Sequence, residues 1–593
     1  MRSVSASKGL PFAARIAAVL TGVICNAAAQ GVIETLAIEG TPAPDGNGHF
    51  GRLFSEAFGP PVINAAGQVA FAAFLTNTAA GLADSAGLYL FDGVATRKLA
   101  RGGDPAPSTQ GKFSAFKSHS TTGQRHLTLN DAGQVGALAS ISGDPLLAGV
   151  CGGGLFRFGL GGSTLVIGCG MPDPRNLGGF GDFGEHGLDA LGRMAFQARV
   201  KVDDFNVPVG VFVGDESGFS TVLLAGDPVP NGGEAFTASL LRGMNPTGDL
   251  LIFADDTGDE GGLANESIYV ATADGLRSVV ANGMRPPDEN GVFEEFQVGA
   301  LNSAGLVAFT ATLGQTTGGR ADDSGLFLAT ESALFTVARE GARAPNGGNW
   351  INFQQPVLND RGTLAFLGFA GVTQTVGSGI YVATTNTITL LVPARSPAPD
   401  GQGTLSLEQA TYPILALNNR GQVLFQAGVS GGPSSARIGV FLADPDGTVR
   451  RVVRRGQELE GSTVNKMELT SVGNTVDAGG ADLGRQRPLN DTGQVAFWAE
   501  LADGRDGVFR WSPPAAGPVI SGIRFEEEDV VVQTASMTGH AYQLQSRAAL
   551  AEGEWQDEGD PVAGTDGEIE LREVGAPTTA GQRYYRVAVV PAE

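Results

Sequence analysis

Bulky apolar residues alternate with small ones over short runs, and each run follows the same polar corner. After Asn64-Ala65-Ala66-Gly67, the residues Val69, Phe71, Ala73 and Leu75 share one side of an extended strand, with Ala70 and Ala72 on the other. The corner recurs at Asn130, Asn302, Asn359, Asn418 and Asn490, and glycine stands three positions on at Gly67, Gly133, Gly305, Gly362, Gly421 and Gly493. Degenerate copies begin at Asp189 and Asn245. Subtracting successive first positions gives spacings of 66, 59, 56, 57, 57, 59 and 72 residues. An asparagine side chain can accept a hydrogen bond from the backbone two residues on, and glycine supplies the positive φ that re-enters a strand. Each corner therefore predicts a hairpin of the type I turn plus bulge kind.

The remainder of each repeat keeps one order. A loop leads to a third apolar run such as Gly87-Leu88-Tyr89-Leu90 or Gly325-Leu326-Phe327-Leu328. A tight turn, often Asp-Gly as at Asp92-Gly93, leads to a fourth run such as Arg97 to Ala100, which stops at proline in Gly103-Asp104-Pro105. Four strands joined by short links make a β-meander, the unit of a propeller blade. Val32 to Pro44 matches only a fourth strand and its terminator, whereas the last copy, from Asn490 through Arg510, lacks one. One end supplies what the other lacks, which hides sheet edges in a ring and does nothing for an open stack. The predicted fold is all-β: an eight-bladed β-propeller closed by an N-terminal strand, then a small C-terminal β-sandwich. A stacked β-solenoid is the alternative.

Domain limits follow. Residues 1–29 read as a secretory signal peptide, with Arg2, Lys8 and Arg15 before an apolar core and Ala27-Ala28-Ala29 at the cut. Ile24 precedes Cys25 where a lipoprotein signal requires a small residue. The propeller takes residues 30–512, the proline-rich linker 513–518, and the sandwich 519–593. Export makes a disulfide between Cys151 and Cys169 chemically reasonable, because pairing Phe156 with Thr164 in the intervening hairpin also sets the two cysteines opposite each other. Two free thiols are the alternative. The formal charge of −23 argues against nucleic acid and anionic membrane surfaces. No apolar run after the leader reaches membrane-spanning length, so the mature chain is expected not to be integral to a membrane. The expected location is secreted or cell-surface.

Acids gather in the loops between second and third strands: Asp84; Asp203 and Asp204; Asp255, Asp256 and Asp259; Asp322 and Asp323; Asp503 and Asp506. Several oxygens on one rim would suit Ca2+ or a cationic ligand. Solvated acids that shape turns are the competing account, and no Asp-x-Asp-x-Asp-Gly run is present. Enzyme signatures are weak. Gly428-Val429-Ser430-Gly431-Gly432 fits a nucleophile string but leads into no helix, and the Gly-x-Gly-x-x-Gly strings at Gly46 and Gly179 arise by chance at this glycine content. His49, His119, His126, His186 and His540 are scattered and show no zinc spacing. Trp350 suits stacking on a sugar or wedging between sheets.

The eight copies resemble the tandem Asn-x-x-Gly-x-x-Ala-Phe repeat family of exported bacterial proteins with varied C-terminal sorting anchors. They are also similar to extracellular His-Ala-Phe repeats. The resemblance spans nearly all of residues 31–512 and implies export and surface display; it brings no activity, cofactor or catalytic residue. The chain departs from that family at its end, where Val589 to Glu593 replaces a hydrophobic tail with a basic cluster. Tyr542 to Ser546, Trp555 and Tyr584-Tyr585-Arg586-Val587 resemble fibronectin-III-like modules. Together these features predict a non-catalytic recognition or adhesion scaffold for a glycan or protein ligand. The alternative is a carbohydrate-active hydrolase or lyase using acids on the long-loop face.

Overall fold

The alternating runs form strands. In the computed structural model the described residues carry β-strands and short 3-10 turns and no α-helix. These are residues 31–590 without 54–55, 117–126, 145–151, 204–207, 231–234, 256–265, 372–376, 408–413, 434–436, 470–487, 515–519, 527–528, 537–540, 548–553, 566 and 576–583. The leader lies outside them. The chain divides into two compact units, Ile33–Ser512 and one containing Pro513–Glu593.

The described residues of the larger unit form eight antiparallel sheets, each a meander in chain order. Gly179–Leu188, Met194–Lys201, Val209–Asp215 and Gly218–Leu224 make one of them. The last sheet is the exception. There Val32–Ile38 lies beside Asp506–Ser512, followed by Val495–Leu501 and Ser462–Glu468. Glu39 N donates to Asp506 O at 2.9 Å, and Arg510 Nη2 donates to Glu34 Oε2 at 2.6 Å. First strands of successive sheets pack together: Gly179–Leu188 against Ala238–Met244, that strand against Val292–Leu301, and that in turn against Asn349–Leu358.

Six of the eight sheets carry an aromatic pair placed by the repeat; the second and fourth have Ala137 and Ile252 at the second-strand position. The phenylalanine two residues into the second strand stacks across on the third-strand aromatic: Phe71 on Tyr89 at 5.7 Å, Phe309 on Phe327 at 5.4 Å, Phe366 on Tyr381 at 5.6 Å. A first-strand ring meets that third-strand ring edge-on, as in Phe50–Tyr89 at 5.1 Å, Phe293–Phe327 at 5.0 Å and Trp350–Tyr381 at 4.7 Å. Such pairs add about 0.5–1.5 kcal/mol each beyond area burial. The glycine opening the third strand makes room for the ring two residues on: a Cβ on Gly87 would stand 2.6 Å from the Tyr89 hydroxyl, and one on Gly325 2.7 Å from the Phe327 ring. Trp350 is 2% exposed, so it is not a sugar platform; it packs on Phe353, Phe366 and Tyr381 of its own sheet within an apolar core shared with the preceding sheet.

One register differs from expectation. Phe156 pairs with Leu165, not Thr164, and a bulge between Leu155 and Phe156 shifts the pairing again, to Leu155 with Ile167. Simple counting along the hairpin therefore does not set residue 151 opposite 169. Cys169 is buried and disulfide-bonded; Cys151 lies outside the described residues.

The second unit holds two three-stranded antiparallel sheets. One orders Ile520–Glu526, Asp529–Ala535 and Glu568–Glu573; the other orders Gln556–Ala563, Ala541–Arg547 and Tyr584–Val590. Val530, Val532 and Leu571 from the first share a core with Tyr542 and Leu544 from the second. Trp555 lies between the guanidinium groups of Arg547 and Arg586, 4.3 and 4.5 Å from its ring centroid.

Candidate functional site

The Asn-x-x-Gly corners form a continuous polar circuit. Within a corner, Asn130 Oδ1 accepts from Ala132 N at 3.2 Å and Gln134 N at 3.0 Å, and Gly133 N donates to Asn130 O at 3.1 Å. Gly133 takes φ 75°, so the turn chemistry is that read from the sequence. The asparagine also does something the sequence reading missed. Its Nδ2 donates to the backbone carbonyl of the next corner: Asn64 to Asn130 O at 3.0 Å, Asn245 to Asn302 O at 3.1 Å, Asn302 to Asn359 O at 3.0 Å, Asn359 to Asn418 O at 3.0 Å, Asn418 to Asn490 O at 3.0 Å. Asn490 Nδ2 donates to Asn64 O at 3.1 Å, returning the series to its first member. Aspartate cannot donate there, and Asp189 does not. Ala190 N donates to Pro246 O at 3.1 Å instead, and Arg193, paired with Asp189 at 2.7 Å, reaches Thr247 O at 3.3 Å. A second tier adds side-chain acceptors for the following N–H: Asp131 for Ala65, Asp360 for Ser303, Asp491 for Asn419. This end of the unit is committed to holding sheets together.

The opposite end carries the expected rim of acids, and most of those described are engaged. Asp84 Oδ2 accepts from Asn47 Nδ2 at 2.8 Å and its Oδ1 from Ala80 N at 3.2 Å, while Arg101 Nε donates to Asp84 O at 2.6 Å and Arg101 Nη1 pairs with Asp45 at 3.0 Å. The fifth sheet repeats this contact for contact. Asp322 accepts from Asn290 Nδ2 at 2.8 Å and Gly318 N at 3.1 Å, Arg339 Nε donates to Asp322 O at 3.1 Å, and Arg339 pairs with Asp288 at 3.3 Å. The seventh uses Arg454 on Asp400 at 2.5 Å. Burial pushes the Asp84 carboxyl up, but hydrogen bonds from Thr78, Asn47 and Ala80 and the Arg101 charge outweigh it and hold the group below its ordinary value. Asp322 is lowered chiefly by hydrogen bonds from Thr316 and Asn290. Both of its oxygens take part in this clasp.

Two other rim acids are misplaced in the sequence reading. Asp255 is fully buried at the end of the Leu250–Asp255 strand rather than in a loop. Asp506 is fully buried too, accepting from Ala57 N at 2.9 Å and Trp498 Nε1 at 3.0 Å, with Arg52 Nε 3.4 Å away; burial raises its carboxyl. Asp503 pairs with Arg505 at 2.7 Å. Asp203 is exposed in a turn; Asp204, Asp256 and Asp259 lie outside the described residues. Asp323 neighbours Glu340, whose carboxyl is raised by burial and then by that aspartate. Among the described residues no three His, Cys, Asp or Glu side chains are grouped to hold a metal ion, and the four described candidates fall in three different repeats: Asp203 follows Met194–Lys201, Asp255 ends Leu250–Asp255, and Asp322 and Asp323 precede Ser324–Ala329. Ser430 ends a strand paired through Thr404, and the next described element is the strand Ile438–Ala443. His186 is buried and His49 exposed on strands; His119, His126 and His540 lie outside the described residues.

First strands supply the remaining polar surface. They carry bulges, at Phe293/Glu295 and Phe296/Val298 in one and at Trp350/Asn352 and Gln354/Val357 in another, and bulges re-aim side chains. Glu294, Glu295, Gln297, Asn352 and Gln354 are exposed there while Phe293, Phe296 and Phe353 face inward.

Antiparallel meanders with hydrogen-bonded corners and first strands packed on one another make this an all-β protein of the β-propeller class. Residues 15–208 and 202–515 match the model of a family of unknown function, DUF7453, and the chain belongs to that family. No curated protein matches it. Among solved structures it is similar to an acylaminoacyl peptidase from Pyrococcus horikoshii (8% identity, TM-score 0.36, 69% of this chain and 53% of that one). It is also similar to the WD40 domain of SCAP from fission yeast (11%, 0.35, 82% and 98%) and to polysaccharide lyase Uly1 (11%, 0.30, 64% and 88%). The chain thus spans about half the length of the peptidase.

Proposed function

We propose that this chain is an exported, non-catalytic recognition scaffold. In it an eight-bladed propeller is closed by the Val32–Ile38 strand and presents the bulged first strands and long loops to a glycan or protein ligand. The observation that carries the proposal is the fate of the loop acids: Asp84, Asp322, Asp400 and Asp506 are held by arginine, amide or indole donors. A glycosidase needs a carboxyl pair left free in a cleft. What the first strands offer instead is a band of amides and carboxylates, Gln297, Asn352, Gln354, Glu294 and Glu295, suited to hydrogen bonding hydroxyls or peptide groups. The formal charge of −23 disfavours nucleic acid. Export rests on the leader, cut after Ala29, and on the repeat resemblance. The test is a glycan array together with a polysaccharide-degradation screen on purified residues 30–593. Saturable binding that weakens in Asn352→Ala plus Gln354→Ala, with no new reducing ends, is expected. Polysaccharide cleavage abolished by Glu340→Gln or Glu295→Gln would replace the scaffold with the carbohydrate-active enzyme.

A further inference from the structure

The chain makes the same turn each time it leaves a fourth strand, and one residue breaks the rule there. Just past that strand the backbone goes left-handed at Gly40, Gly103, Gly170, Gly226, Gly283, Gly341 and Gly456, with φ between 77° and 96°. In the sixth sheet, which ends with Ile388–Pro393, the residue in this position is Arg395, with φ 65°. Its place in the turn is the same. Gly103 N donates to Phe113 O at 2.8 Å, Gly341 N to Trp350 O at 2.9 Å and Arg395 N to Leu405 O at 3.0 Å, each acceptor lying on the next first strand. A residue with a Cβ is strained in this conformation, and strain of that kind is kept where something depends on it. Packing does not ask for it. A Cβ at Gly40, Gly226 or Gly283 would meet nothing within 4 Å, so a side chain in this position leaves the surface, and Arg395 is exposed. The frame beneath it is stiff. Leu405 N donates to Ser396 O at 2.8 Å, Ser396 Oγ donates to Pro393 O at 2.7 Å, and Pro393 and Pro397 each fix a φ.

We propose that Arg395 is an anion-binding residue that pairs with the carboxylate or sulfate of an acidic polysaccharide, an inference that rests on the recognition reading above and names its ligand class. A guanidinium presents a planar fork of donors that matches either oxyanion, and a charge held on a stiff turn loses little freedom on binding. The preceding crossover carries another exposed arginine, Arg343, whose backbone bridges to Asn349 at the head of the sixth sheet's first strand. That strand shows Asn352 and Gln354 to solvent. Amides suit sugar hydroxyls and arginines suit anions, and an acidic polysaccharide carries both along one chain. The formal charge of −23 opposes general attraction of a polyanion, so its capture needs placed cations of this kind.

Binding of residues 30–593 to polygalacturonate, dextran sulfate, uncharged dextran and polyglutamate tests this, with circular dichroism and melting curves on every variant. Arg395→Gly removes the charge and the strain together, and Arg395→Ala removes the charge alone. Both should lower affinity for the acidic polysaccharide about tenfold or more, the scale of a charge-assisted pair. Arg395→Gly should also melt about 1 °C above wild type, whereas loss of a structural arginine lowers the melting temperature. Arg395→Lys keeps a point charge without the fork and should fall between. Arg361→Ala, which removes an exposed arginine from an Asn-x-x-Gly corner at the other end, should leave the affinity unchanged. The tighter of the two acidic polysaccharides identifies the anion as carboxylate or sulfate. Unchanged affinity in folded Arg395→Gly, or an equal loss in Arg361→Ala, overturns the proposal. So does binding confined to polyglutamate, which points to an acidic protein instead. Binding confined to uncharged glycans overturns it too, and leaves the scaffold reading standing without its anion site.

Discussion

The corner circuit makes a substitution that looks conservative expensive, and Asn302→Asp shows how much. Asn302 is 2% exposed. Its Oδ1 accepts from Ala304 N at 3.0 Å and Leu306 N at 2.9 Å, and its Nδ2 donates to Asn359 O at 3.0 Å. Aspartate keeps the two accepted bonds and loses the donated one, about 1 kcal/mol net. It also leaves a carboxylate oxygen against a carbonyl oxygen in a buried place, an unpaired desolvated contact worth a further 1–3 kcal/mol or so. The expected cost at neutral pH is therefore about 2–4 kcal/mol, read as a fall in urea midpoint. The chain itself indicates the remedy. Where the corner already has aspartate, at Asp189, arginine stands four residues on and pairs with it at 2.7 Å. The matching position in this corner is Leu306, which is only partly buried, so Leu306→Arg added to Asn302→Asp should recover at least about 1 kcal/mol. Acid should help the single variant as well. A protonated carboxyl can donate to Asn359 O, and burial raises the carboxyl's pKa in the folded state, so the deficit shrinks as pH falls through that raised value. A single variant within about 0.5 kcal/mol of wild type, or a double variant no better than the single, would refute the claim that the donated bond ties neighbouring sheets together.

The clasps at the other end predict that Arg101→Ala costs about 3 kcal/mol, because it strips a nearly buried partner from Asp45 and from the Asp84 carbonyl; calorimetry checks it, and exposed Arg97→Ala serves as the small-effect control. Asp84, Asp322 and Asp400 have folded pKa values below the ordinary carboxyl, so their contribution is complete above about pH 4 and is lost as pH falls from there toward the lowered values. Asp506 works the other way, its raised pKa penalising the folded state above that value, so Asp506→Asn should gain stability relative to wild type at neutral pH and lose that advantage on acidification. Deleting residues 32–38 removes the strand beside Asp506–Ser512 and should abolish cooperative unfolding of the whole larger unit, whereas a loose tail would leave the melting curve unchanged.

Much of the architecture was legible because the repeat fixes it locally. The period-2 alternation after each corner gives paired strands, the glycine three residues past each asparagine takes a positive φ, and Val32–Ile38 pairs beside Asp506–Ser512, where the last repeat lacks a fourth strand. The aromatic triads were half legible: the phenylalanine and the third-strand ring are in register, but bulges that no alternation reveals separate the edge-on first-strand rings Phe293 and Trp350 from the corner that follows them. That Asp84 and Asp322 shape their own turns was legible; their arginine partners were not read, because a loop aspartate looks the same whether it faces water or an arginine seventeen residues on. The signal was nonetheless present. Thr78-Ala79-Ala80-Gly81-Leu82-Ala83-Asp84 and Thr316-Thr317-Gly318-Gly319-Arg320-Ala321-Asp322 share spacing, and each is followed by an arginine seventeen residues after the aspartate. The donated asparagine bond was not legible, since it links residues more than fifty positions apart.

Where the clasp is missing, the sheets have room to differ. The clasping arginine is the residue paired with the glycine that opens the third strand: Arg101 with Gly87, Arg339 with Gly325, Arg454 with Gly439. The same slot holds Gly168 opposite Gly154, Leu224 opposite Gly210 and Pro393 opposite Gly379. None of these three can hold a loop carbonyl or a crossover aspartate by charge. In chain order, sheets one and five therefore have their second-to-third-strand loops held by an arginine, the seventh has its crossover held at Asp400 and Gln402, and sheets two, three and six carry no arginine at that slot. A recognition surface needs loops free to vary on a frame that is not. Ligand contacts should accordingly map to the unclasped sheets and to the bulged first strands beside them. Exchanging a loop between two unclasped sheets should alter binding while leaving the melting curve nearly unchanged. Loosening a clasp should do the reverse, lowering stability and sparing affinity. Binding that followed the clasps instead would place the ligand on sheets one, five and seven and reverse this assignment.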